Sequence, residues 1–233
     1  MIRNIVKDLK LYVKYRYLSI FVAISFLFGL LMGITHIVPP IIYIYISVFI
    51  LPVISFSIGL AVGHQQEDCC FEGHHRYALS KVLSALVIQV IPLIVYLLVM
   101  KLVLSMHFNI FYFIVIYLLA SILHILIGLA LSIIARTSFS LSLSYIVYLI
   151  VFSIIPIFYS LEMIESQFLS YVLIISPAYL SGVLFEGVLD SFYVMKEWFI
   201  YVAFLIQIAY IFILYFVVIK PFIAMYLENQ KTI

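Results

Sequence analysis

IFYFIVIYLLASILHILIGLALSII (Ile110–Ile134) is an apolar run that contains no Asp, Glu, Lys or Arg. A helix needs roughly 20 such residues to cross the hydrocarbon core of a bilayer, since each residue advances it by only about 1.5 Å. The rest of the chain is similar: of its 233 residues, 67% are hydrophobic and 9% are charged. A soluble domain carries about 25% charged residues. Composition therefore predicts an all-α integral membrane protein.

Further stretches have a similar length and composition, and we predict six membrane-spanning helices in one domain of residues 1–233. In chain order the predicted spans are Tyr17–Ile34, Ile41–Gly63, Val82–Met100, Ile110–Ile134, Leu141–Tyr159 and Trp198–Ile219. Pro156 lies inside the fifth of them. A proline in a span is tolerated when neighbouring groups satisfy the carbonyl that its missing N–H leaves free.

The basic residues predict the orientation. With both termini in the cytoplasm, all of the 12 lysines and arginines except Lys101 and Lys196 fall on the inner side. This asymmetry follows the positive-inside rule. We therefore predict a multi-pass protein of the cell membrane whose two termini are cytoplasmic. The outer side then receives several acids: Glu162, Glu165, Glu186, Asp190 and Glu197.

The stretch FLSYVLIISPAYLSGVLFEG (168–187) is nearly long enough to be a seventh span. A seventh span would move Lys220 and Lys231 to the outer side, against the charge rule. Ser176 and Pro177 also interrupt the stretch in its middle. We therefore prefer two short helices that enter the outer leaflet and return, a re-entrant hairpin within residues 161–197, and keep the span as the alternative.

The first 16 residues predict an amphipathic helix at the inner membrane interface. One face carries apolar side chains, namely Ile2, Ile5, Val6, Leu9, Tyr12 and Val13. Another face carries basic side chains, namely Arg3, Lys7, Lys10 and Lys14. Such a helix lies in the interface plane with its cations near anionic headgroups. A solvated basic leader is the alternative.

Polar residues inside the spans are candidates for a transport pathway. His124 is deep in the fourth span, and intramembrane ionisable groups are functional candidates by default. A neutral histidine bonded to a nearby hydroxyl is the structural alternative. We add Ser142 and Tyr145 of the fifth span to the candidate pathway. We expect no buried Asp or Glu, which argues against a proton- or sodium-coupled transporter.

A cluster of polar residues, VGHQQEDCCFEGHHRYALSK (62–81), joins the second and third predicted spans on the cytoplasmic side. It contains side chains that can bind zinc, namely His64, Cys69, Cys70, His74 and His75. Adjacent cysteines rarely ligate one tetrahedral ion, however, and the stretch has no CxxC or HxxxH pair. We therefore predict no metal site here.

The same stretch has acids at Glu67, Asp68 and Glu72, then Gly73, and then Leu79-Ser80-Lys81 opening the third span. This order resembles the first cytoplasmic loop of type-2 ABC exporter permeases (the ABC-2 family). The six spans, a basic N-terminal elbow helix (residues 1–16) and an outer hairpin between the fifth and sixth spans are also similar. This chain departs from the family by having a shorter loop, which carries His74–His75.

The resemblance implies a permease subunit of an ABC exporter, not itself an enzyme. Residues 64–81 would be the loop that couples to the ATPase, through Glu67, Asp68, Phe71, Glu72, Gly73, Arg76 and Tyr77. The chain has no GxxxxGK[ST] phosphate-binding loop, so ATP and Mg²⁺ would bind a separate ATPase subunit, and this chain would hold no cofactor. The family also implies a dimer with a second copy or a close relative.

Amphipathic substrates are expected for such a permease, since no buried charge is expected to hold a small ion. Hydrophobic or antimicrobial peptides, lipid-like molecules and drugs all fit efflux of this kind. The net charge of +2 is too small to indicate a nucleic-acid partner. The alternatives are an intramembrane protease or lipid-modifying enzyme, using the loop histidines with Glu67 or Glu72, and a non-transporting immunity or partner protein.

Overall fold

The computed structural model describes residues 2–14, 16–38, 41–42, 74–134, 138–160, 163–164, 166–189 and 197–221. This part of the chain is helical and contains no strand. In chain order its α-helices are α1 (Ile2–Lys14), α2 (Tyr17–Thr35), α3 (His74–Leu98), α4 (Ile110–Ile134), α5 (Ser138–Leu149), α6 (Ile155–Ser160), α7 (Gln167–Leu173), α8 (Pro177–Leu189) and α9 (Glu197–Ile213).

Segments of π-helix extend or join these helices. They lie after α3 (Val99–Val103), between α5 and α6 (Ile150–Ile154) and after α9 (Leu214–Ile219). Within the described residues, five helices are long and apolar enough to cross a membrane: Leu18–Thr35, Leu79–Val103, Ile110–Leu131, Ser142–Tyr159 and Trp198–Ile219. They coincide with five of the predicted spans, so the predicted all-α, multi-pass character is confirmed. Apart from Ile41 and Ile42, the predicted span Ile41–Gly63 lies outside the described residues.

Helix α4 is the centre of the bundle. It contacts α3, α5, α8 and α9, and 67% of its apolar stretch is buried. Asn109 begins it, because its Oδ1 accepts hydrogen bonds from the N–H groups of Phe111 (3.0 Å) and Tyr112 (3.3 Å). Its rings at Phe113 and Tyr117 pack against Phe185 of α8. A helix with neighbours on several sides must be apolar nearly all round, as this one is.

Helix α3 begins earlier than the predicted third span. The apolar stretch starts near Leu79, but the helix starts at His74. The last part of the predicted coupling loop, residues 74–81, is therefore the first two turns of α3. Residues 64–73 of that loop lie outside the described part of the chain.

Helix α1 is present where the sequence predicts an amphipathic helix. It packs against α3 and α2. Its buried residues are Asp8 and Tyr12, whereas Ile2 and Val13 of the predicted apolar face are 76% and 60% exposed. The face of α1 that packs against the bundle therefore includes a carboxylate beside Tyr12 of the predicted apolar face. The predicted position of α1 at the inner membrane interface stays a prediction.

The stretch 168–187 forms two short helices, α7 and α8, as preferred over one long helix. The Ser176 hydroxyl accepts a hydrogen bond from the Tyr179 N–H (3.2 Å), which caps the start of α8. Pro177 occupies the first position of α8, where its fixed φ is favourable and its missing N–H costs nothing. The proline thus begins the second helix, and most of α8 is buried.

Candidate functional site

The first candidate site is the contact between α1 and α3, which we call the inner joint (Asp8, Lys81 and Ser84). Lys81 Nζ lies 2.5 Å from Asp8 Oδ1, and both side chains are 3% exposed. Ser84 Oγ lies 3.1 Å from Asp8 Oδ2 and 3.0 Å from the Lys81 carbonyl oxygen. Both carboxylate oxygens therefore have a partner. A buried ion pair is tolerated only when further hydrogen bonds accompany it in this way.

An apolar cluster continues the inner joint by one turn on both helices. Tyr12 of α1, Phe21 of α2 and Ile88 of α3 are buried together, with Leu9 beside them. Tyr12 follows Asp8 by four residues and Ile88 follows Ser84 by four residues, so each pair shares one helix face. The contact thus has a charged end and an apolar end, which together fix both the position and the angle of α1.

The basic residues predicted for α1 point elsewhere. Arg3, Lys10 and Lys14 are exposed, and Lys7 is half-buried. Their role at a lipid surface stays a prediction. The residue that sequence reasoning missed is Asp8. Two features of the sequence could have indicated it: Asp8 is an acid in an otherwise basic helix, and Lys81 lies at the beginning of an apolar span.

The predicted coupling residues are only partly within the described chain. Glu67, Asp68, Phe71, Glu72 and Gly73 lie outside it. Arg76 and Tyr77 are on the first turn of α3, where the backbone alone is described.

Within the described ranges no group of three or more His, Cys, Asp or Glu side chains could hold a metal ion. His64, Cys69 and Cys70 fall outside those ranges, so the absence of a metal site stays a prediction.

His124 is fully buried in α4. Its Nδ1 lies 2.8 Å from the Ala120 carbonyl oxygen. A carbonyl can only accept, so Nδ1 carries the proton and Nε2 of the neutral ring is an acceptor. The ring lies edge-on to Tyr148 of α5, with centroids 6.4 Å apart. Among the described residues neither His124 Nε2 nor the Tyr148 hydroxyl has a hydrogen-bond partner.

The structure brings only some of the predicted pathway residues together. Tyr145 packs in the same apolar cluster as Tyr148, between α4, α5 and α9. Ser142, one turn earlier on α5, is half-buried. Tyr148 was not predicted, although its spacing of three residues from Tyr145 places both on one face of α5. His124 faces the interior of the bundle at this contact.

The second candidate site is the outer hairpin, which we define as α7, α8 and their turn at residues 174–176. Its turn and first residues are bonded to α9: the Tyr210 hydroxyl donates to the Ile175 carbonyl (3.0 Å), and Gln207 Nε2 donates to Ser181 Oγ (2.8 Å). The opposite end of α8 meets the start of α9, where a Cβ on Gly187 would lie 2.6 Å from Ile200 Cδ1. α8 and α9 are therefore antiparallel, and the turn lies beside the C-terminal part of α9, well inside the Trp198–Ile219 stretch.

The hairpin turn is also bonded to the fifth predicted span. Ser176 Oγ donates to the Phe152 carbonyl oxygen (2.7 Å). Phe152 lies in the π-helical segment Ile150–Ile154, four residues before Pro156, which has no N–H to donate. Ser176 Oγ thus bonds to a carbonyl outside its own helix and attaches the hairpin turn to the fifth predicted span, close to the proline of that span.

Two acids of the described part of the chain are buried, so our expectation that none would be is wrong. Asp8 is paired in the inner joint, as described above. Glu186 of α8 is 8% exposed, and burial raises the pKa of its carboxyl to about 7. Within the described residues no cation forms an ion pair with it. The sequence pattern did not predict the burial of either acid, because Asp8 is in a basic helix and Glu186 is near the end of a hairpin that we predicted to lie on the outer side.

Comparison of the chain with protein-family models, with curated protein sequences and with solved structures finds no match.

Proposed function

We propose that the protein is the permease subunit of a type-2 ABC exporter, which moves an amphipathic substrate out of the cell and is driven by a separate ATPase. In this proposal six spans cross the cell membrane with both termini in the cytoplasm. Two permease chains enclose the path, and the ATPase binds residues 64–81 and the adjoining inner surface.

The observation that carries the proposal is the placement of the outer hairpin. Its turn is bonded to Tyr210, which is well inside the last candidate span, and to the Phe152 carbonyl in the middle of the Ser142–Tyr159 span. Two short helices whose turn lies at this depth support a re-entrant hairpin between the fifth and sixth spans. Polar backbone at such a turn requires protein partners, and Tyr210 and Ser176 supply them.

The inner end of the bundle gives separate support. α3 is helical from His74, directly after the polar stretch that would bind the ATPase. A segment that receives a push must be attached to something stiff, and a continuous helix held by a buried ion pair meets this requirement. The substrate class follows from the interior: neutral hydrogen-bonding groups such as His124 and Tyr148 lie within an apolar bundle, as suits an amphipathic molecule.

The test is affinity purification of the full chain from its native membrane. We expect an ATPase with a phosphate-binding loop to co-purify. Phe71→Ala removes an aromatic side chain from the proposed docking surface and should weaken the association by about 1–3 kcal/mol, as for aromatic residues at other interfaces. The matched control is Phe111→Ala, at an exposed phenylalanine of α4 on the predicted outer side.

Two results would contradict the proposal. One is a wild-type protein that is purified from its own cells with no ATPase, which would favour an intramembrane enzyme or an immunity protein. The other is an equal loss of the ATPase in the Phe71 and Phe111 variants, which would mean that residues 64–81 have no special part in docking.

A further inference from the structure

The inner joint connects two parts of the molecule that have different surroundings. Lys81 is in the second turn of α3, seven residues after His74, where the chain leaves the polar stretch 64–73. At about 1.5 Å per residue this is roughly 10 Å of helix. Any displacement of that stretch reaches Lys81 through unbroken helix.

The other side of the joint is α1, which we predict to lie against lipid. Arg3, Lys10 and Lys14 are exposed, as are the apolar side chains of Ile2 and Val13. Such a helix is held at a membrane surface by its apolar contacts and by anionic headgroups. Among the described residues, α1 also packs against α2.

We propose that the inner joint makes α1 and the first half of α3 one moving unit, with Asp8, Lys81 and Ser84 as positioning residues. Separation would leave a charge unpaired in a buried place, which is strongly unfavourable. The apolar contact of Tyr12 with Ile88 prevents rotation about the ion pair. A push on the segment before α3 is therefore carried to α1 and to the lipid beside it. This part of the inference rests on the proposed function.

The joint itself is tested by hydrogen exchange on the full chain in nanodiscs. In Asp8→Asn and in Lys81→Met, the amides of α1 should exchange about 100-fold faster than in the wild type, which corresponds to about 2.8 kcal/mol of docking free energy. The double variant should exchange no faster than either single variant, because both changes remove the same interaction. The matched control, Lys220→Met, changes an exposed lysine just after the π-helical segment that follows α9 and should match the wild type.

Exchange of α4 amides shows whether a variant is still folded. If either charge variant unfolds throughout, Ser84→Ala keeps both charges and should still give the local effect, at about tenfold. Exchange of α1 at the wild-type rate in the single variants would overturn the joint. Effects of Asp8→Asn and Lys81→Met that add in the double variant would also overturn it.

The common movement is tested in the complex with its ATPase. Spin labels at Lys10 and Val87, both exposed, report the distance between α1 and α3, and labels at Lys10 and Phe139 report the distance between α1 and α5. Between the nucleotide-free state and the state trapped with ATP and vanadate, the first distance should stay constant and the second should change. In Lys81→Met the first distance should change too. A first distance that changes in the wild type would overturn the common movement.

If neither distance responds to nucleotide in the wild type, the result counts against the proposed function. The hydrogen-exchange result then decides by itself whether the joint holds α1 on α3.

Discussion

The inner joint and the outer hairpin both attach short helices to long apolar ones, but they do so with different chemistry. At the inner joint an aspartate and a lysine form a buried ion pair. In the hairpin, neutral hydroxyl and amide groups of Ser176, Gln207 and Tyr210 make the bonds, mostly to backbone carbonyls. The difference fits the topology that we propose, since a charge pair is less costly near a membrane surface than in its interior, where neutral groups are preferred.

Each region also contains a buried acid, and the two acids differ in their partners. Asp8 has Lys81 and Ser84 as partners. Glu186 is buried in the hairpin without a cation among the described residues, and burial raises the pKa of its carboxyl. A paired acid holds two helices together, whereas an acid whose ionised form is disfavoured makes its helix sensitive to pH.

The largest effect in the hairpin should come from titrating Glu186. The pKa of its carboxyl is about 7 in the folded protein and 4.5 when exposed. Between these values the unfolded chain loses the proton while the folded chain keeps it, so the folded state loses stability as pH rises through this window. The free energy of unfolding should fall by up to about 3 kcal/mol. Thermal unfolding in nanodiscs at several pH values measures it, and Glu186→Gln should abolish this fall.

A fall of the same size in Glu186→Gln would show that another group titrates. Glu186 would then not make the stability of the outer hairpin depend on pH, and this difference from the inner joint would be lost.

A smaller effect is expected for the neutral bonds of the hairpin turn. Ser176→Ala removes the donor to the Phe152 carbonyl and the cap of α8 together, and should cost about 1–3 kcal/mol. The matched control is Ser166→Ala, which removes only the exposed cap of α7 and should cost no more than about 1 kcal/mol. Thermal unfolding of the two variants checks the difference, and equal losses would mean that the bond to Phe152 contributes nothing.

The smallest effect is expected for Tyr210→Phe, which removes the donor to the Ile175 carbonyl and keeps the ring. Hydrogen bonds between membrane helices average about 0.6 kcal/mol, so the loss should be of this order. Tyr201→Phe, at a 71% exposed tyrosine of the same helix, is the control and should leave stability unchanged. A loss for Tyr210→Phe as large as that expected for Ser176→Ala would mean that the bond to the Ile175 carbonyl contributes as much as the bond to the Phe152 carbonyl and the cap of α8 together.

Hydropathy predicts the spans well because apolar length is itself the physical requirement for crossing a membrane. It predicts helix ends less well. α3 begins at His74, outside its apolar stretch, because polar residues can continue a helix in water as readily as apolar residues do in lipid. The two short helices 167–173 and 177–189 were also predictable, because Ser176 and Pro177 mark a helix start.

The bonds that attach the short helices could not be predicted. Asp8 and Lys81 are 73 positions apart, and no local pattern links them. The acceptors at Ile175 and Phe152 are backbone carbonyls, which every residue has and which therefore leave no trace in the sequence. Only the donor side chains can be recognised from the sequence, and a serine or tyrosine in an apolar helix has many possible partners.

The bond from Ser176 to the Phe152 carbonyl has a consequence for biogenesis. A ribosome makes the chain from its N-terminus, so Phe152 and Pro156 emerge before the serine, which follows Phe152 by 24 residues. During that interval the Ser176 hydroxyl that bonds to the Phe152 carbonyl has not yet been made. We therefore expect the segment to leave the insertion machinery together with the hairpin, so that a nascent chain arrested before Ser176 remains crosslinked to the translocon.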